Sequence, residues 1–367
     1  MSTPEYAPGA PQFTSQARDT QTLALDVVVT RGDMVEAHHR VHAAVVHSSG
    51  AMLYAAGNPQ LATWWRSCAK PFQLLPTLAH GHLDRVAWTD EAIALACASH
   101  GGEPEHVAIA SAMLASLGLD ETALACGPHE PLASRGSRLL RQDGARPTRI
   151  HNNCSGKHAA MLAFAAGEGW ALDGYHRATH PVQQAAHASV AEWANLPPDQ
   201  LQQAVDGCGV TVFGLPLANM ALAFARLGAA AQAGEAGPAR VVKAMTRYPF
   251  LVGGTDRFDT QLMEACGGAV LCKIGAEGVH SLSIPARGIG IALKVEDGAA
   301  RAQYPAVLSL LEALDALPEP LPEALAAYRQ TAIRNTRAEP VGAVFVSAAP
   351  AGAVLQRDGA SASHATT

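Results

Sequence analysis

Residues 269–295 read AVLCKIGAEGVHSLSIPARGIGIALKV, and this stretch decides the fold class. Three apolar runs lie within it, at 269–274, 280–284 and 289–295. They are too brief for helices and rich in β-branched residues, so they read as strands. Working outward, matching signals appear at the other end of the chain. Residues 23–30 (LALDVVVT), 36–48 and 51–56 are β-like, separated by turns at Arg31-Gly32-Asp33 and Ser48-Ser49-Gly50. Between the two groups the patterns are helical, at 71–79, 90–98, 104–117, 154–166, 181–194 and 217–227. A helix at 300–314 and a last strand at 342–347 close the body. Strands at both ends and helices in the middle predict an α+β fold. One antiparallel sheet would be assembled from the N- and C-terminal segments, with the helical middle packed on it, rather than a βαβ repetition.

Composition bounds what such a body can do. The chain has 367 residues, 49% hydrophobic and 16% charged, with a net charge of -6. That apolar content excludes a disordered chain and supports a large core. A weakly acidic balance and only 5% aromatic residues give no reason to expect nucleic acid or an anionic membrane as partner. No run reaches the roughly 18–20 apolar residues of a spanning helix, and the first twenty residues lack an apolar signal-peptide core. A cytoplasmic protein is therefore expected. Residues 1–20 and 349–367 read as tails around one catalytic domain at 21–348, which holds no linker or repeat. Seven cysteines at irregular spacing argue against a disulfide framework. Cys97, Cys126 and Cys266 read as small buried hydrophobes.

The chemistry begins at Arg66-Ser67-Cys68-Ala69-Lys70-Pro71. With a helix starting near Ser67, a spacing of three puts Ser67 and Lys70 on one face. Pro71 is compatible with a first helical turn. A serine hydroxyl needs a base before it attacks, and a free lysine is charged at neutral pH. Burial or a second cation must lower the lysine pKa. A second lysine and a second hydroxyl are thus expected, and the chain supplies both in order. Ser99 sits in Ser99-His100-Gly101-Gly102-Glu103, and Lys273 ends an apolar strand before Ile274-Gly275. S-x-x-K, then a loop serine, then K-x-G is the layout of penicillin-recognising serine hydrolases.

Two denser clusters follow, His151-Asn152-Asn153-Cys154-Ser155-Gly156-Lys157-His158 and Asp206-Gly207-Cys208-Gly209-Val210. Together with RSCAKP, ASHGGE, GGTDRFDT (residues 253–260) and CKIGAEG, they resemble the ordered signatures of the asparaginase II family, the serine-dependent, thermolabile type. The resemblance spans residues 23–347. It implies a sandwich like that of serine β-lactamases and glutaminases, and two catalytic pairs, Ser67 with Lys70 and Ser99 with Lys273. It implies one zinc per chain, held by Cys154, Lys157 and Cys208, and no organic cofactor. Thiolates suit zinc, and three protein ligands leave a position for water. Cys68 departs from the pattern, where a small hydroxyl residue is usual.

The expectation is therefore an L-asparaginase acting on L-asparagine as a homodimer. Ser67 is the preferred nucleophile because Lys70 is its nearest partner in sequence. Asp206 is expected on the substrate α-ammonium and Arg66 on its carboxylate. His151 and His158 are candidate hydrogen-bond donors to the metal-holding residues, and Arg257 and Asp259 are candidates to shape the pocket. A β-lactamase or peptidase would leave the cysteine clusters unexplained and lacks an SDN-type loop. A silent zinc or amino-acid binding protein would not need the four Ser and Lys residues.

Overall fold

Strand Ile289–Val295 sits inside a six-stranded sheet, as its unbroken apolar run demands. In this computed structural model, which describes residues 21–347, the sheet runs β1 (Gln21–Thr22), β5 (Met52–Ala56), β4 (Val41–His47), β11 (Ile289–Val295), β10 (Val279–Ile284) and β9 (Leu271–Ile274). All its pairings are antiparallel except β1 with β5. The two tails expected at 1–20 and 349–367 lie outside the described residues.

One sheet from both chain ends was expected; two are found. A four-stranded sheet, β12 (Gln330–Arg334), β13 (Pro340–Val346), β2 (Val27–Arg31) and β3 (Met34–His39), also joins the first and last segments. The run 36–48 is therefore not one strand. It breaks at Arg40, and its halves enter different sheets. A third sheet, β6 (Ala62–Trp64), β8 (Thr211–Pro216) and β7 (Gln202–Val205), has no counterpart in the sequence reading.

The expected helices are all present. They are α1 (Lys70–Ala79), α3 (Asp90–Ala96), α4 (Pro104–Ala115), α6 (Ser155–Glu168), α7 (Pro181–Trp193), α8 (Leu217–Gln232) and α12 (Ala300–Ala313). Shorter or more polar ones lie between or after them: α2 (His82–Arg85), α5 (Ser134–Gln142), α9 (Ala236–Arg247), α10 (Pro249–Val252), α11 (Phe258–Ala265) and α13 (Glu323–Arg329). Every residue of β10 and β11 is buried, so both faces of the central sheet are covered. Helix α8 lies directly on it. A Cβ added at Gly290 would come within 1.9 Å of the Ala221 carbonyl oxygen, so only glycine permits this approach.

Trp65, just before the Ser67 turn, is fully buried and stacks on Phe72 of α1 at 4.9 Å between ring centroids. Phe224 of α8 meets both rings edge-on. Burying each such side chain contributes about 2–3 kcal/mol. The Trp65 indole donates to Ser281 Oγ of β10 at 2.9 Å, which fixes the turn to the sheet.

Candidate active site

The Ser67 segment does not begin as an α-helix. Residues Arg66–Ala69 form a 3-10 turn, and α1 starts at Lys70 with Pro71 in its first turn. Arg66 has φ +52°, a left-handed conformation that costs a side-chain-bearing residue energy and recurs at functional sites. Sulfur and backbone hold the turn. Cys68 Sγ lies 2.9 Å from the Lys273 carbonyl and donates to it. Burial pushes the Cys68 thiol up to about 12, so it stays a neutral donor, the part a hydroxyl would play.

The turn aims Lys70 inward. Its side chain is 1% exposed, and Nζ donates to the Ala98 carbonyl, to Ser99 Oγ at 3.2 Å and to the Asn153 carbonyl at 3.5 Å. Lys273, fully buried on β9, donates to the same Ser99 Oγ at 2.8 Å and to the Ile274 carbonyl at 2.8 Å. Ser99 is fixed in turn by its backbone N–H on the Val252 carbonyl at 3.0 Å. One hydroxyl thus lies between two buried amines. Burial first, and the Lys70 charge second, bring Lys273 down to about 8.

The expected Ser99–Lys273 pair is formed, whereas Lys70 is bonded to Ser99 rather than to Ser67. The Ser67 side chain makes no hydrogen bond among the described residues; it is half-buried and lines a cavity of about 440 Å³. Ser99, Asn153, Cys154, Asp206, Cys208 and Arg257 share that lining. Arg66 and Asp206 stand on the same wall, joined by a bond from Arg66 Nε to Asp206 Oδ1 of 2.8 Å. Burial works against the Asp206 charge, but Lys157 and Arg66 keep its carboxyl below the ordinary value.

Cys154, Lys157 and Cys208 also converge, although Cys154 is the N-cap of α6, Lys157 lies in its first turn and Cys208 comes from the β7–β8 turn. All three are buried, and Lys157 Nζ donates to Cys208 Sγ at 3.1 Å. Hydrogen bonding from Cys154, supported by Lys157, holds the Cys208 thiol down to about 4, while Cys154 is pushed up to about 12. Despite burial, the Cys208 and Cys154 sulfurs keep Lys157 charged. A buried cation already occupies the place beside a thiolate. Two sulfurs and an amine form a donor set that fits a soft divalent ion, which would displace the lysine proton.

Other residues of the site are poorly marked in the sequence. Glu103 is fully buried and receives Thr255 N–H at 2.7 Å, Thr255 Oγ1 at 2.6 Å and Arg135 at 2.8 Å. It ties the Gly101-Gly102 turn after Ser99 to the Gly254 loop. Asp259 receives the Ile274 N–H at 2.7 Å, next to Lys273, and faces His280 Nε2 at 2.9 Å, off the line of a hydrogen bond. The carboxylate therefore fixes the end of β9 rather than lining the cavity. His158 donates to or accepts from Tyr175 Oη at 2.6 Å, and His151 caps its own turn at Thr148, so both serve local structure. Glu103 was legible only as the end of ASHGGE, and Asp259 as part of GGTDRFDT.

Comparison with known proteins gives the family. The family model described as L-asparaginase II matches residues 27–346. No curated protein matches. Among solved structures, Mglu in its native form is 15% identical with a TM-score of 0.44, over 75% of this chain and 64% of that chain. The chain thus spans less than two thirds of that protein's length. Mglu in the presence of 4.3 M NaCl is 16% identical with a TM-score of 0.36, over 81% and 66%. These likenesses are too distant to specify an activity. Among the described residues no helix is long and apolar enough to cross a membrane. The match covers nearly every element described above, including both lysines and both serines, and the chain belongs to the L-asparaginase II family.

Proposed function

We propose that this chain is an L-asparaginase, hydrolysing L-asparagine to L-aspartate and ammonia through an acyl-enzyme on a β-lactamase-like sandwich. The observation that carries the reading is Ser99 held between the Lys70 and Lys273 amines beside a cavity that Ser67 opens onto. Ser67 is the nucleophile in this reading, because its hydroxyl is unbonded and faces the cavity. Hydrogen bonds between nucleophile and base are often loose before substrate binds. Ser67 Oγ attacks the side-chain carboxamide carbon, and its proton passes to Lys70. That proton leaves with the amide nitrogen as ammonia, giving the Ser67 ester. Water then attacks the ester, loses a proton to the same network, and releases aspartate as Ser67 is reprotonated. Lys273, about half deprotonated at pH 8, takes a proton from Lys70 through Ser99, and the Lys70 amine so freed receives the Ser67 proton. The Arg66–Asp206 pair offers one cation and one anion to a zwitterion's α-groups. Cys154, Lys157 and Cys208 would hold a zinc ion. When bound it would supply Lewis acidity and tie α6 to the β7–β8 turn.

A second assignment makes Ser99 the nucleophile, favoured by its 2.8 Å bond to Lys273. The experiment separates the two. Ammonia release from asparagine should fall about a thousandfold or more in Ser67→Ala and in Lys70→Ala, and their double variant should be little worse, since members of one catalytic unit are not additive. Peptide mapping of an acylated enzyme trapped at low pH should place the adduct on Ser67. An adduct on Ser99 moves the nucleophile there, and absent ammonia release from folded wild type removes the asparaginase reading.

A metal assay is independent of turnover. Protein purified without chelator should carry about one zinc per chain, and Cys208→Ala should lose it. Zinc-free wild type would overturn the ligand set.

A further inference from the structure

A second cluster lies at the ends of α1 and α6 that are opposite to Lys70 and Lys157. His80 caps the C-terminus of α1, His82 opens α2, and Glu168 is the last residue of α6. His80 Nδ1 and His82 Nε2 both meet the same oxygen, Glu168 Oε1, at 2.7 and 2.5 Å. The three ligand atoms lie within 4.8 Å of one another. We infer that His80, His82 and Glu168 form a transition-metal site distinct from the catalytic cavity, taking a borderline ion such as Ni²⁺ or Zn²⁺.

The donor set favours that class. Two imidazoles and one carboxylate suit zinc, nickel, cobalt or copper, whereas calcium and magnesium prefer oxygen alone. The scaffold is rigid where a site needs rigidity. Phe164 of α6 packs against both rings, 5.3 Å from His80 and 5.9 Å from His82 between centroids. Gly167 makes room, since a Cβ there would come within 2.3 Å of the His82 ring. Gly81 takes φ +69°, which lets the chain place two histidines on one carboxylate within three residues. The scale also fits. An ion about 2.0–2.2 Å from each donor needs the donors roughly 3–3.5 Å apart, so Glu168 withdraws by up to about 1 Å while the two imidazole nitrogens, within 4.8 Å of one another, close around the ion. The His80 side is half exposed, which leaves access for the ion and for water ligands.

One group opposes the ion. Arg85 Nη1 lies 3.4 Å from His82 Nδ1. With Nε2 on a metal, Nδ1 carries the ring proton, so Arg85 must turn away. Arg85 is exposed and can do so. The bound ion would join the ends of α1, α2 and α6, three elements otherwise linked there by imidazole–carboxylate hydrogen bonds.

The test is calorimetric titration of the full chain with NiCl₂, paired with thermal melting. Wild type should show a Ni²⁺ event of one ion per chain that is absent in His80→Ala and in Glu168→Gln. Cys208→Ala should retain it, and Arg85→Ala should tighten it. Saturating Ni²⁺ should raise the melting temperature of wild type more than that of His80→Ala, because a ligand of the folded state alone stabilises it. His80 is half exposed, so its unliganded variant should melt near wild type and report on the site rather than on folding. Identical isotherms for wild type and His80→Ala, or loss of the event in Cys208→Ala, would overturn the site.

Discussion

At the scale of single residues, opposing neighbours set the proton balance on Lys273. Burial and Lys70 push its proton off, and the Asp259 charge keeps it on. Asp259 is itself fully buried, which favours its neutral form, yet His280 and Lys273 hold it down to about 2. It is therefore an anion throughout the working range. If neutral Lys273 is required, kcat/KM should rise with pH through about 8, as the amine loses its proton. Asp259→Asn removes an anion that favours the lysine cation, so the amine deprotonates more readily and the rising limb moves to lower pH. The asparagine oxygen can still accept from the Ile274 N–H. Superposable profiles for the two enzymes would remove Lys273 from the rate-determining protonation. The identities of Ser67, Lys70, Ser99 and Lys273 were legible from residue type and order. Their contacts were not. Three residues of spacing predicts Ser67 on Lys70 only if both lie in one α-helix, and the 3-10 turn with Arg66 left-handed rotates the lysine onto Ser99 instead.

Among elements, α8 on β11 is the contact most sensitive to one atom. Gly290→Ala would place its Cβ 1.9 Å from the Ala221 carbonyl and 2.3 Å from the Ala225 nitrogen. Both are helix backbone and cannot rotate aside, so α8 must lift from the sheet. The expected loss is about 3 kcal/mol, the upper range for overpacking. Urea unfolding should show a lower midpoint with an unchanged slope; an unchanged midpoint would mean that the helix accommodates the methyl group easily. Elements also differed in how plainly sequence announced them. The run 289–295 is buried on both faces and reads as apolar throughout. Strand β7 is fully exposed and carries two glutamines, so no alternation marks it. Helix α5 has only Gly136 buried. Such segments gain their structure from neighbours, and a local pattern does not record that. The break at Arg40 is of the same kind, since both halves favour strand and only the two-sheet topology separates them.

For the whole molecule, the controlling fact is that β4 pairs with β11 along seven residues, from Ile289 on His47 to Val295 on Val41. The second sheet repeats the scheme, with β13 on β2. Long-range pairings of this kind make folding slow, because a large loop must close before the contacts form. Ribosome-stalled chains exposing only residues up to 280 should therefore be digested quickly by added protease. Protection should appear sharply once 289–346 has emerged; protection of the shorter chains would indicate a stable N-terminal subdomain. The same register sets a timetable for synthesis. About 240 residues separate β4 from its partner, so at ~5–20 residues per second the apolar hairpin of β4 and β5 waits roughly 10–50 s with one edge bare. A newborn chain thus carries an unpaired, aggregation-prone edge for most of its own translation, the interval in which a strand-shielding chaperone would have something to hold.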